Sequence, residues 1–198
     1  MKEEVKKFLE DVTGLGKPKR REIEIARRVP LSRKFRDDGV TPNNAYLPLI
    51  VYRAAIVLNP RFDPAAIFEV LFASNRWQNG WRYTMYGYNH FHTSTHECLG
   101  LARGRLTALF GGQRGRKIDL EADDVIVIPA GVGHKRVRQS RDLLIVGAYP
   151  VNGGKYDELK PRAIAQATAV ARIEKVPLPS ADPVYGKNGP LLATWRQR

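Results

Sequence analysis

His90, His92 and His96 lie close together in this chain, and Glu97 follows them directly. The remaining histidine, His134, ends the run Pro129-Ala130-Gly131-Val132-Gly133-His134. Imidazole nitrogens joined by one carboxylate form a donor set for a borderline divalent transition metal: Fe, Mn, Ni, Co or Zn. Three histidines and one glutamate leave positions open on a six-coordinate ion, where water, oxygen or a substrate binds. The metal ligands read from the sequence are His90, His92, Glu97 and His134. Glu97 is also the candidate proton shuttle; no other catalytic residue is assigned, and no organic cofactor is indicated. The single cysteine, Cys98, excludes an internal disulfide and a multi-cysteine zinc site.

These donors need elements that aim them at one point. His90 and His92 are two residues apart, so a strand would put both rings on one face. Glu97 returns to the same pocket after the irregular link Thr93-Ser94-Thr95. His134 approaches on a strand laid beside the first pair. Alternation sends His96 to the face opposite Glu97; the irregular link keeps it open as a substitute ligand. Cys98 also falls opposite and reads as a small buried hydrophobe. A lone histidine in an apolar barrel is usually a hydrogen-bonded core residue. Four donors at matched spacing favour the metal over that reading.

The flanking sequence supplies strands. Leu47 to Leu58 reads as a buried strand starting near Pro48, with Arg53 as an edge position or a paired buried charge. Asp63-Pro64 marks a helix start, with an end near Ala73 to Asn75. Further strands are expected over 82–86, 90–93, 96–103, 105–110, 116–120, 125–129, 134–138 and 143–149. No helix-length repeat interrupts 82–149, which argues against a parallel α/β sheet. Trp77, Trp81, Tyr83, Tyr86 and Tyr88 are read chiefly as core, some of them at the pocket mouth. Residues 2–11 carry the stripe Val5, Phe8, Leu9 of a short amphipathic helix. Helix-compatible sequence follows Pro161, and Leu191, Leu192 and Trp195 pack back on the domain. The expectation is an all-β jelly roll of six to eight strands with a few peripheral helices. A basic, partly helical arm spans 1–36, and a single domain spans 37–198.

The formal net charge of +13 raises nucleic acid as a partner. The excess is concentrated in residues 17–36 and otherwise thin, with few aromatics among the basic residues to stack bases. A solvated basic surface is therefore the preferred account. No apolar run approaches the roughly 20 residues that span a bilayer. Met1-Lys2-Glu3-Glu4 lacks the apolar core of a secretory signal. A cytoplasmic protein without a membrane partner is expected. Jelly rolls bury sheet edges by pairing protomers, so a homodimer is expected as well.

The spacing resembles the cupin superfamily. His90-x-His92, four residues, Glu97, six residues and Gly104 follow its first motif, and Pro129-Ala130-Gly131-Val132-Gly133-His134 follows the core of its second. Thr84, Asp123 and Arg138 stand where glycine, glycine and asparagine are usual. The wider run is similar to single-domain bacterial cupins of the YjlB type. It includes Pro42-Asn43-Asn44, Leu47-Pro48-Leu49, Gly111-Gly112, Gly147-Ala148-Tyr149-Pro150 and Asp182-Pro183-Val184, and covers roughly residues 40 to 195. The resemblance implies a double-stranded β-helix (an RmlC-like fold) with a metal pocket inside the barrel. It implies no single activity. Three function classes follow: a metal-dependent enzyme on a small polar molecule, with oxygenase and isomerase chemistry both open; a non-catalytic cupin that binds a small ligand; and a nucleic-acid accessory protein acting through the basic arm.

Overall fold

The computed structural model describes residues 15–196, so the helix expected over 2–11 lies outside the described residues. Nine strands follow in chain order: β1 (Leu31–Phe35), β2 (Asn44–Tyr52), β3 (Trp77–Tyr83), β4 (Glu97–Arg103), β5 (Arg105–Phe110), β6 (Arg116–Glu121), β7 (Val125–Ile128), β8 (His134–Gln139) and β9 (Leu144–Pro150). Three short helices accompany them: α1 (Pro64–Ser74), α2 (Gln166–Ile173) and α3 (Pro190–Arg196). Every strand pairing is antiparallel. A six-stranded sheet runs β1-β2-β7-β4-β9-β3, and a three-stranded sheet runs β6-β5-β8. This is the jelly roll that the sequence led us to expect, with nine strands in place of six to eight.

The four inner strands of the six-stranded sheet, β2, β7, β4 and β9, are buried on both faces, which explains why they read as near-continuous apolar runs. Leu49, Val51, Leu99, Leu101, Ile126, Ile128 and Ile145 face the smaller sheet and join Leu106, Ala108 and Phe110 in one core. Ile50, Tyr52, Cys98, Val125, Val127, Val146 and Ala148 face the other way, against Phe68 and Leu71 of α1 and Leu191 and Trp195 of α3. Alternation along β4 therefore decides everything about Glu97: it shares the inner face with Leu99 and Leu101.

Several boundaries differ from the sequence reading. The strand expected over 82–86 is β3, shifted to Trp77–Tyr83, and it pairs with β9 through the register Trp81↔Gly147. The strand expected over 47–58 is β2 at Asn44–Tyr52. A turn at Arg53 and Ala54 ends it, with Ala54 at φ 45°. Leu31–Phe35, within the basic stretch, forms β1 on the edge of β2. The expected helix start holds: the Asp63 side chain accepts from the Ala65 N–H, and Pro64 opens α1. Leu191, Leu192 and Trp195 are buried as expected. No helix among the described residues is long and apolar enough to cross a membrane.

Candidate metal centre

Residues 90–93 do not form a ladder strand. His90 makes a single antiparallel bridge to His134 at the start of β8, and Phe91 makes another to Leu159. The His90 N–H donates to the His134 carbonyl at 3.2 Å and the His134 N–H to that of His90 at 2.9 Å. On the far side the Gly131 N–H donates to the His92 carbonyl at 2.7 Å. The segment is thus clamped between the turn before β8 and residues 157–159. The ring centroids of His90 and His134 lie 4.1 Å apart, and those of His92 and His134 lie 5.4 Å apart.

His90, His92 and His134 are all buried, and their ligand atoms lie within 4.8 Å of one another. Glu97 reaches the same point from β4. Its Oε2 is 3.3 Å from His134 Nε2 and 3.5 Å from His92 Nε2. The hydrogen bonds at the other ring nitrogens fix the tautomers. His90 Nδ1 meets the Tyr88 carbonyl at 3.2 Å, His134 Nδ1 the Val132 carbonyl at 3.0 Å, and His92 Nδ1 the Asp157 carbonyl. A carbonyl oxygen only accepts, so each Nδ1 carries a proton and Nε2 is left as the ligand atom of each ring; those of His92 and His134 face Glu97 Oε2. Three imidazole nitrogens and a carboxylate thus converge in a buried space. His92 Nε2 is buried without a hydrogen-bond partner. This donor set fits a divalent transition metal, with the carbonyl contacts acting as the outer supports that hold ligating imidazoles in place.

The charges respond to this crowding. Burial, followed by the neighbouring His134 and His92, lowers the His90 pKa to about 3. Burial alone would lower His92, but the Glu97 charge outweighs it and holds that ring above the usual histidine range. Burial would raise Glu97, yet His92 and His134 hold its carboxyl far below the usual carboxylate range.

His96 sits on the opposite face, as alternation requires. Its Nδ1 accepts from the Ala130 N–H at 2.9 Å, and its ring lies 4.7 Å from that of Trp195. Its Nδ1 lone pair is therefore spent on the backbone, the reverse of the three clustered rings. Cys98 is fully buried and its thiol is held well above its usual range, first by burial. Arg53 pairs with Asp124 at 2.6 Å and does not line the histidine cavity.

Sequence reasoning missed three contributors. Tyr149 of β9 donates its hydroxyl to Glu97 Oε1 at 3.0 Å and accepts from Trp81 Nε1 at 2.9 Å. Its hydroxyl pKa is strongly raised, by burial and then by the Glu97 charge. Asp157 supplies the carbonyl at His92, while its carboxylate accepts from the hydroxyls of Thr93 and Ser94 at 2.6 and 2.7 Å. The third is Tyr156, whose ring lies 5.0 Å from that of His92. Period-two alternation from Gly147 offered a signal for Tyr149; nothing local marked Asp157 or Tyr156. A cavity of about 570 Å³ opens over the cluster, and its lining includes Trp81, Tyr83, Tyr86, Tyr149 and Tyr156. Of the aromatics expected chiefly as core, only Trp77 is fully buried; Tyr83, Tyr86 and Tyr88 are exposed.

No family model matches the chain. The Bacillus subtilis (strain 168) protein named "Uncharacterized protein YjlB" is 37% identical over 161 residues, which cover 81% of this chain and 93% of that one. Among solved structures, RmlC from Streptococcus suis in complex with dTDP-D-xylose aligns over 86% of this chain and 96% of its own, at 10% identity and TM-score 0.35. Acireductone dioxygenase from Bacillus anthracis, with a cadmium ion in its active centre, aligns over 43% of this chain and 59% of its own, at 16% identity and TM-score 0.33. An 11S globulin from Wrightia tinctoria aligns over 47% and 29%, at 12% identity and TM-score 0.34. The alignment thus spans less than two thirds of the length of the last two structures.

Proposed function

We propose, for a chain that belongs to the YjlB family of single-domain cupins, that its function is metal-dependent catalysis on a small molecule. In this reading His90, His92 and His134 ligate through Nε2, and Glu97 ligates through Oε2. The observation that carries it is the convergence, in a buried space beside Glu97, of three imidazoles whose Nδ1 atoms are each tied to a backbone carbonyl. The ion is Fe, Mn, Ni, Co or Zn, all suited to imidazole with one carboxylate. When bound, it supplies Lewis acidity or an oxygen-binding position at the cavity floor.

The protein's own groups do the rest. Tyr149 occupies Glu97 Oε1, which leaves Oε2 as the oxygen that would hold the ion. The floor groups His90, Glu97 and His134 are buried, which strengthens each electrostatic contact there. A homodimer and a cytoplasmic location belong to the same reading.

Elemental analysis of protein purified without added metal tests the centre. One divalent ion per chain is expected, with His92→Ala and His134→Ala falling to a small fraction of it. A wild-type stoichiometry near zero that no added divalent ion restores would sink the proposal. Recovery of a bound molecule chemically unchanged after incubation would leave the metal centre and remove the catalysis.

A further inference from the structure

The cavity has a polar floor and walls to which Trp81, Tyr83, Tyr86, Tyr149 and Tyr156 contribute rings. The floor is His90, Glu97 and His134. Aromatic rings border the histidine cluster. Tyr156 lies 5.0 Å from His92 and 5.2 Å from Tyr149, and Tyr86 lies 5.4 Å from His90 in an edge-on arrangement. These separations are those at which aromatic rings attract one another, so a further ring lying against the exposed faces of these tyrosines gains contacts of the same kind.

The hydroxyls of the wall tyrosines nearest the floor are already engaged. Tyr149 donates to Glu97 and accepts from Trp81. Tyr156 donates to Glu158 at 2.9 Å. A hydroxyl-rich ligand would find few partners at Tyr149 and Tyr156, which works against it there. A flat apolar body needs none.

One cation lines the rim. Lys155 is exposed and borders the cavity, and among the described residues none pairs with its ammonium. Its neighbour Lys160 is engaged, with the ammonium 4.6 Å from the Tyr88 ring centroid. Lys155 is therefore the group at the rim that would meet an anion.

We infer that the cavity takes a planar aromatic molecule carrying one carboxylate. Its ring lies against the tyrosines that line the cavity, Tyr149 and Tyr156 among them, and its carboxylate rests on Lys155. A volume of about 570 Å³ suits a one- or two-ring compound. The inference deepens the catalytic reading by naming its substrate class, and it rests on that reading only in taking the floor as the reactive end.

The test is calorimetric titration of the full chain as purified, with metal content measured on the same sample. The probes are 2-naphthoate, its saturated analogue decahydro-2-naphthoate, neutral 2-naphthalenemethanol and the polar acid glucuronate. The expected result is 2-naphthoate binding at least tenfold more tightly than each of the other three. Lys155→Ala should erase its advantage over 2-naphthalenemethanol and keep its advantage over the saturated acid. Tyr156→Leu should reduce the second advantage. Glucuronate or the saturated acid binding as tightly as 2-naphthoate overturns the inference, as does an unchanged charge preference in Lys155→Ala. Metal present without aromatic preference refutes the substrate class alone; absent metal with aromatic preference refutes the metal centre alone.

Discussion

At the scale of single residues, the candidate centre depends on what stands behind each ligand. Each imidazole is oriented by a backbone carbonyl, so its tautomer does not depend on solvent. Glu97 differs, because its free rotation about the carboxyl is stopped by a side chain, Tyr149, which Trp81 holds in turn. Gly147 makes room for that chain: a Cβ there would lie 2.2 Å from the Trp81 ring. Loss of the Tyr149 hydroxyl should therefore loosen Glu97 without removing a ligand. Tyr149→Phe is expected to weaken metal binding by roughly 10- to 100-fold, the usual effect of removing such a support. Competition against a chelator of known affinity measures it, and a change below about twofold would refute the role.

At the scale of elements, α3 is the brace behind the strand that carries Glu97. Trp195 is buried, donates from Nε1 to the Pro48 carbonyl at 2.9 Å, and lies against the His96 ring. His96 in turn receives the Ala130 N–H, so one stack connects α3 to the turn that delivers His134. The chain before α3 is pinned by Asp182, which accepts from the Val184, Tyr185 and Leu191 N–H groups and from the Tyr52 hydroxyl at 2.5 Å. Trp195→Ala should cost about 3–5 kcal/mol, the range for deleting a large buried aromatic. A urea unfolding curve should show the midpoint falling with little change in slope. An unchanged midpoint would mean that α3 is not part of the cooperative core.

At the scale of the whole molecule, β1 and β3 are the edges of the larger sheet. β1 shows an exposed Leu31, and Val29 just before it is 89% exposed. An edge with apolar side chains invites pairing with a second copy, and closed two-fold symmetry is the commonest way to satisfy it. The homodimer of the proposed function is expected to use this edge. Sedimentation equilibrium should return twice the chain mass, and Leu31→Lys should shift the population toward the single chain. A wild-type protein that sediments as one chain at tens of micromolar would remove the dimer.

Much of the fold was legible because its signals are local. Alternating and continuous apolar runs mark strands, Asp63-Pro64 marks a helix start, and the motif spacing matched a family to which the chain belongs. Gly104 shows why such spacing holds: it sits at φ 76° between β4 and β5, with Ser140 and Leu143 too near for a Cβ. The chain alone also named the clustered donors and sent His96 to the opposite face, because a period of two is a property of any strand. It did not give the bounds of β3, where Trp77 and Tyr83 fit either side of the boundary and pairing with β9 decides. It did not give Tyr149, Asp157 or Tyr156, whose roles arise from β9 and the segment after it passing beside residues some sixty positions earlier. Residue types and spacing determined that this chain carries a metal-type donor set in a jelly roll. Which nitrogen of each ring faces the others, which oxygen of Glu97 is left for an ion and what walls stand around them were decided by tertiary structure alone, since those contacts join groups that no local period relates.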